Sequence, residues 1–270
     1  MVRTFQPGAR RVQLIDAHGQ VITELTPVGP TGLFHGRLLA DAQRESDHPE
    51  PYRLRIIWPF GTGHEAVQET EDPYAFGLLL GDLDLHLINE GTHRALARCL
   101  GAQAMKVDGI AGVRFSVWAP NAQRVSVVGD FNRWDGRHHP MRRRHQAGVW
   151  ELFLPQGLGV GPGARYKFEL IGADGQLLVK SDPVARQTEP PPATASVVAD
   201  PAAFRWGDTA WMQTRAQRQQ PDAPIAIYEV HAGSWLRDLE DGGRNLQWDE
   251  LADRLIPYVT ALGFTHIELL

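Results

Sequence analysis

The feature that most limits what this chain can fold into is an internal repeat. Segments of its first hundred residues return, in order, about 110 to 116 positions later. Ala9-Arg10-Arg11-Val12 followed by Leu14-Ile15 returns as Ala122-Gln123-Arg124-Val125 followed by Val127-Val128. Gly32-Leu33-Phe34 returns as Gly148-Val149-Trp150, and Tyr52-Arg53-Leu54-Arg55-Ile56 as Tyr166-Lys167-Phe168-Glu169-Leu170. Asp72-Pro73 returns as Asp182-Pro183. Collinear matches at a nearly constant offset imply two tandem copies of one module, over residues 1–90 and 91–205.

Each copy is expected to be β structure, because apolar and polar residues alternate in short runs bounded by Gly, Pro, Asn and Asp. Val113, Phe115 and Val117 share one face and Arg114 and Ser116 the other; Tyr166, Phe168 and Leu170 alternate with Lys167 and Glu169. Many short strands at this spacing predict a β-sandwich. One helix is expected to join the copies, with Thr92 as N-cap, a stripe of Ala95, Leu96, Cys99 and Leu100, and Gly101 as its stop. Cys99 then belongs to a core. The Gly-rich run Gly157, Gly159, Gly161 and Gly163 imitates a dinucleotide fingerprint but precedes a strand, so it is expected to be a long hairpin loop.

Beyond the second copy the character changes. Residues 206–224 are expected to form a linker anchored by aromatics such as Trp206 and Trp211. Ile225 to His231 then predicts a buried strand. A helix follows from about Asp249, with a stripe of Leu251, Leu255, Val259 and Leu262, an expected kink at Pro257 and a stop at Gly263. Phe264 to Leu270 predicts a second strand. Strand, helix, strand is a βαβ unit with a parallel sheet. Two strands and one helix leave an open edge and an uncovered face, so the chain is expected to be part of a longer protein.

Composition narrows the partners. The chain has 270 residues, with 27 Lys plus Arg against 32 Asp plus Glu, and this acidic balance argues against nucleic acid. The single cysteine excludes an internal disulfide and any cysteine-based zinc site, and fits a reducing cytoplasm. No apolar run approaches the ~18–20 residues that span a bilayer, and Met1 to Arg10 has no apolar signal region.

Several quotations then carry a specific resemblance. They are Glu90-Gly91-Thr92-His93, Val117-Trp118-Ala119-Pro120-Asn121-Ala122, and Val127-Val128-Gly129-Asp130-Phe131-Asn132-Arg133-Trp134-Asp135-Gly136. To these are added Ile227-Tyr228-Glu229-Val230-His231-Ala232-Gly233-Ser234-Trp235 and Gly263 through Leu270. Over residues 85–270 the chain resembles the N-terminal part of the 1,4-α-glucan (glycogen) branching enzymes of the α-amylase superfamily, and residues 1–85 match more loosely. The resemblance implies a multidomain chain: two tandem all-β immunoglobulin-like sandwiches, the second of the glycogen-binding kind, and the first strands of an incomplete (β/α)₈ barrel at 225–270. In that superfamily the catalytic carboxylates follow the fourth, fifth and seventh strands, so none is expected here and residues 1–270 are expected to be inactive alone.

The same resemblance assigns substrate-binding roles to Trp134, as a sugar-stacking ring, and to Lys167, as a sugar contact on the outer face of its strand. The family pattern departs near Gln176-Leu177, where a second stacking Trp belongs, and near Thr194 to Val197, where an Asn belongs. Glu229 and Glu268 are read as structural, and Asp238, Glu240 and Asp241 as a solvated loop. Arg142-Arg143-Arg144-His145 reads as a solvated basic loop. His138 and His139, adjacent in sequence, do not project a metal pair onto one face, and His231 and His266 are read as core histidines. The resulting expectation is a monomer that takes α-glucan chains, without cofactor, metal, nucleic acid or membrane. The alternatives are a debranching or trehalose-releasing hydrolase of the same superfamily and a non-catalytic glucan-binding protein.

Overall fold

A computed structural model describes residues 1–38, 52–200 and 204–270. The chain divides into two compact units, Met1–Ala203 and Phe204–Leu270. Among the described residues no helix is long and apolar enough to cross a membrane.

The first copy of the repeat forms β1 (Val2–Phe5), β2 (Arg11–Ile15), β3 (Val21–Val28), β4 (Leu33–Gly36), β5 (Arg53–Phe60) and β6 (His64–Glu71). Their order is β1-β4-β3-β2-β5-β6, with every pairing antiparallel. The N-terminal half of β3 lies on β2 and its C-terminal half on β4, so this strand joins the two ends of the array. Period-two alternation puts Val12 and Leu14, Leu54 and Ile56, and Leu25 and Phe34 into one core. Each such side chain contributes about 1.5–3 kcal/mol on burial.

The second copy forms β7 (Gly101–Val107), β8 (Ile110–Trp118), β9 (Arg124–Gly129), β10 (Arg142–Arg144), β11 (Val149–Pro155), β12 (Arg165–Ile171), β13 (Leu177–Lys180), β14 (Gln187–Thr188) and β15 (Ser196–Val197). One sheet runs β10-β11-β8-β7, the other β13-β12-β15-β14 with β9 on the free side of β12. Phe115 and Val117 of β8, Leu152 and Leu154 of β11, Val125 and Val127 of β9, and Tyr166 and Phe168 of β12 meet in a single core between the sheets.

The repeat extends to individual bonds. Phe5 faces Leu33 as Trp118 faces Val149, and Val12 faces Ile56 as Val125 faces Leu170. Gln6 N–H donates to Gly32 O at 2.7 Å, and Ala119 N–H to Gly148 O at 2.9 Å. A Cβ on Gly32 would meet Pro7 Cα at 2.4 Å and one on Gly148 would meet Pro120 Cβ at 2.6 Å, so both positions require glycine for the same close backbone approach. Tyr52 Oη donates to Asp72 at 2.6 Å and Tyr166 Oη to Asp182 at 2.5 Å, in each case a buried pair. Burial pushes both carboxyls above the ordinary carboxylate range.

The connection between the copies differs from expectation. It holds α1 (Asp82–Asn89) and a single turn, α2 (Leu96–Cys99), whose N-cap is Ala95; Thr92 is not an N-cap but closes the C-terminus of α1, its amide donating to Leu87 O at 3.0 Å behind the left-handed Gly91. Cys99 is buried as expected, beside Leu80, Leu85 and Val149, and burial pushes its thiol up to about 11. The Gly-rich run is no hairpin: it crosses from β11 in one sheet to β12 in the other. The arginine run is no loop either. It is β10, and its side chains hold carbonyls far away in sequence: Arg142 donates to Phe76 O at 2.6 Å, Arg143 to Pro120 O at 2.9 Å and Arg144 to Leu80 O at 2.9 Å. Glu151, 2% exposed, accepts from Arg144 at 2.7 Å and from the Leu79 and Leu80 amides, so it fixes the connecting segment between the copies.

The second unit contains α3 (Thr209–Arg218), β16 (Ile227–Val230), the short hairpin β17 (Arg237–Asp238) and β18 (Arg244–Asn245), α4 (Trp248–Ala261) and β19 (His266–Leu269). β16 and β19 pair in parallel, with α4 as the crossover. Leu251, Leu255 and Val259 pack on Val230 and Tyr228, whereas Leu262 is exposed. α4 contains Pro257, which has no N–H for the Asp253 carbonyl. The strands are less buried than expected, because one helix covers one face only: Ile227, Ile267 and Leu269 are exposed. The region read as linker contains α3, and Trp206 and Trp211 are exposed rather than anchoring. His231 and His266 are likewise exposed, bonded through Nδ1 to Ser234 and Thr265 respectively. Asp238 and Asp241, read as solvated, are ion-paired to Arg244, which also holds the Glu250 carboxyl down to about 2.

Candidate functional site

Trp134 lies in the turn that follows β9, and local chemistry holds that turn in an unusual form. After a single 3₁₀ turn over Asp130–Asn132, Arg133 and Trp134 both take left-handed backbone conformations, φ 55° and 61°. For a bulky residue this conformation costs about 1–3 kcal/mol and is stable only where its surroundings over-determine it. Asn132, buried, supplies that constraint. Its Oδ1 accepts the Gly129 amide at 2.9 Å, while Nδ2 donates to Val127 O and His139 Nδ1, each at 2.9 Å. The Trp134 amide closes the turn on Gly129 O at 3.0 Å. At Gly136 a Cβ would meet Glu169 Oε1 at 2.0 Å, so the returning chain lies directly on β12.

The result is a tryptophan ring 38% exposed with its polar edge anchored. Nε1–H donates to Asp130 Oδ1 at 3.1 Å, and Asp130 accepts Arg165 through both oxygens, at 2.8 and 3.1 Å. Arg165 also donates to Glu189 at 3.2 Å, and its hydrogen bonds to Asp130 hold that carboxyl below its usual range. Arg165 and Lys167 are two apart on β12, on the face opposite the buried Tyr166 and Phe168. Lys167 Nζ donates to Thr194 Oγ1 at 2.6 Å, and the Ala195 amide beside it donates to Glu189 at 3.0 Å. Trp134, Asp130, Arg165, Glu189, Thr194 and Lys167 are therefore one continuous network on the outer face.

Both residues singled out by sequence thus belong to one surface. Asp130, Arg165, Glu189 and Thr194 were missed. Two signals pointed to them: Asp130 stands in the same turn as Trp134, and Arg165 shares Lys167's face by the two-residue period. At the positions where the family pattern departs, Leu177 is 61% exposed and Thr194 takes up the lysine. An exposed flat apolar ring framed by donors and acceptors suits the stacking of a pyranose and hydrogen bonding to its hydroxyls.

Residues able to hold a metal come together elsewhere. Asp84, His93 and Cys99 place ligand atoms within 4.8 Å of one another. His93 Nδ1 accepts the Ala95 amide at 3.0 Å, so the ring proton sits on Nε2, between Asp84 at 3.1 Å and Cys99 at 3.2 Å. A metal at Nε2 would have to displace that proton while the other nitrogen is already engaged, so the cluster reads as a closed hydrogen-bond group.

Comparison with known proteins bears on this surface directly. Residues 99–185, which include Trp134 and Lys167, match carbohydrate-binding module 48 (isoamylase N-terminal domain). Over all 270 residues the chain is 76% identical to the 1,4-alpha-glucan branching enzyme GlgB of Ralstonia nicotianae. The chain is similar throughout its length to 1,4-alpha-glucan branching enzymes. GlgB 2 of Rhizobium johnstonii and GlgB 1 of Xanthomonas campestris pv. campestris are each 57% identical over the whole chain. The chain spans about 35% of the length of each of these branching enzymes. Among solved structures, a Klebsiella pneumoniae pullulanase complexed with maltotriose aligns with 100% of the chain and 28% of its own, at 20% identity and a TM-score of 0.47.

Proposed function

We propose that residues 1–270 are the glucan-engaging N-terminal part of a glycogen branching enzyme. The whole enzyme transfers an α-1,4-glucan segment to a 6-hydroxyl. In this reading residues 1–90 and 91–205 are tandem immunoglobulin-like sandwiches, 206–224 a linker and 225–270 the first strands of a (β/α)₈ barrel. The parallel β16–α4–β19 unit supports the last assignment. A retaining transfer needs two carboxyl groups ~5–5.5 Å apart on either side of the bond. The reading places both outside residues 1–270, in agreement with the chain's 35% share of its relatives' length.

One observation carries the glucan assignment: a strained, half-exposed Trp134, wired through Asp130 and Arg165 to the strand that bears Lys167, inside the segment that matches a carbohydrate-binding module. Stacking on the ring supplies area, and the flanking groups supply direction. The protein acts as a monomer on α-glucan, and the buried free Cys99 suits a reducing cytoplasm.

Electrophoresis in gels with and without glycogen tests the reading. The wild-type chain is expected to be retarded by glycogen and Trp134→Ala to migrate freely; equal migration of the wild type in both gels would overturn it. For the whole enzyme, product analysis is expected to show an increase in α-1,6 linkages, whereas a hydrolase would give none.

A further inference from the structure

The turn that presents Trp134 also closes a second concave surface within the first unit. Between the N-terminal strand, the end of β6 and residues 137–140 lies a cleft of about 520 Å³, within the ~300–1,000 Å³ of small-molecule sites. Its aromatic lining includes Phe5 and Tyr74. Phe5 is fixed in place by Arg137, whose guanidinium carbon stands 5.1 Å from its ring centre, and by an edge contact with His138 at 5.4 Å.

Three polar side chains that line this cleft keep hydrogen-bonding capacity free for a ligand. His139, 8% exposed, accepts the Asn132 amide on Nδ1, so its proton is on Nε2. That N–H meets no acceptor among the described residues and is not sealed from solvent. Burial, with His138 adding to it, lowers the pKa of His139 to about 3, so the ring is a neutral donor throughout the physiological range. The Arg3 side chain, also in the lining, makes no hydrogen bond or ion pair among the described residues, and the Glu71 carboxyl, opposite Arg53 on the neighbouring strand, accepts no hydrogen bond among them. A fixed neutral donor, one cation and one carboxylate over aromatic and apolar walls suit a neutral polyhydroxylated ligand. An anion would face Glu71 and the buried Asp72 carboxyl; a cation would face Arg3 and Arg137.

We propose that this inter-module cleft is a second oligosaccharide site, which takes about two or three rings of an α-1,4-glucan chain with its hydroxyls on His139, Arg3 and Glu71. The proposal rests on the glucan reading above and adds to it a site that depends on the first module. It gives the N-terminal copy a role in ligand binding, through Arg3, Phe5 and Glu71, although that copy has no counterpart of Trp134.

The test is an NMR titration of the 270-residue chain with maltotetraose. It follows the His139 ring nitrogens and the Phe5 and Tyr74 amides for the cleft, and the Trp134 indole for the outer face. Both sets are expected to shift in the wild type. In Trp134→Ala the cleft signals are expected to shift still, and Arg3→Ala and Glu71→Gln, on the rim, are expected to weaken their response about fivefold to tenfold without moving the Trp134 response. Thr70→Trp, which fills the cleft, should abolish the cleft shifts; its folding is checked by its Trp134 response. Shifts at Trp134 alone would overturn the cleft proposal and leave the glucan reading intact. No shift at either place would overturn both. Cleft shifts with inorganic phosphate and none with maltotetraose would also overturn it.

Discussion

The two copies of the repeat share strand pairing, register, turn geometry and a buried Tyr–Asp pair, yet only one carries a candidate ligand-stacking ring. The second copy also adds β7, β14 and β15, but the ring arises at the return from one strand. In the first copy β2 reaches β3 through Asp16–Gln20, where Asp16 Oδ1 accepts the His18 and Gln20 amides at 2.8 Å, and β3 pairs with β2 at once. In the second copy the chain leaves β9, coils through Asp130–Gly136 and pairs with β9 again as a single bridge, Ser126–Pro140, instead of a ladder. Ladder pairing is given up there, and a buried asparagine replaces it as the organiser. A conserved scaffold with one enlarged turn is how a binding feature arises without disturbing a core.

The largest effect that would break the comparison lies in the cores. Phe115 in β8 occupies the place of Val2 in β1, and both are buried. Phe115→Ala is expected to destabilise by about 3–5 kcal/mol, and Val2→Ala by only about 1–2 kcal/mol, in urea unfolding. Equal losses would mean that the copies do not unfold through equivalent cores.

Next come the two turns. Asn132→Ala removes three hydrogen bonds of a buried side chain and is expected to lose about 1–3 kcal/mol together with glycogen retardation. Asp16→Ala, in an exposed turn, should lose under about 1 kcal/mol and leave retardation unchanged. A smaller, shared effect concerns Asp72 and Asp182. Both have folded-state pKa values raised by burial, so each contributes stability that is full below the unfolded value and falls as pH rises through the folded one. The loss caused by Asp72→Asn or Asp182→Asn is therefore expected to be larger at about pH 3.5 than at pH 7 in both copies, measured as the difference in thermal midpoint from wild type. The smallest effect is expected from Phe5→Ala, which severs the first copy's cation–π contact with Arg137 and should cost about 0.5–1 kcal/mol while loosening the Trp134 turn, read as faster amide exchange at Arg137.

Two residues of the candidate site, Trp134 and Lys167, were legible through the resemblance to glycogen-binding modules, and the two-residue period added that Lys167 lies on the outer face of its strand. The network that joins them was not, since Asp130 and Arg165 are 35 residues apart and meet only when β9 pairs with β12. The same limit explains the misreading of Arg142, Arg143 and Arg144. A basic run looks solvated unless its acceptors are known, and two of the three find carbonyls 64 and 66 residues away.

By itself the sequence determined the duplication, the alternating faces of the strands and the crossover helix between two parallel strands, because each is set by spacing or by residue type over a few positions, and its resemblance to a family pointed to Trp134. Only the tertiary structure decided which sheet each strand joins, that the Gly-rich run crosses between sheets, that the arginines and Glu151 fasten one copy to the next, and that a cleft opens between them. Those depend on backbone groups brought together across long loops, and a one-dimensional pattern carries no record of which carbonyl a distant guanidinium will find.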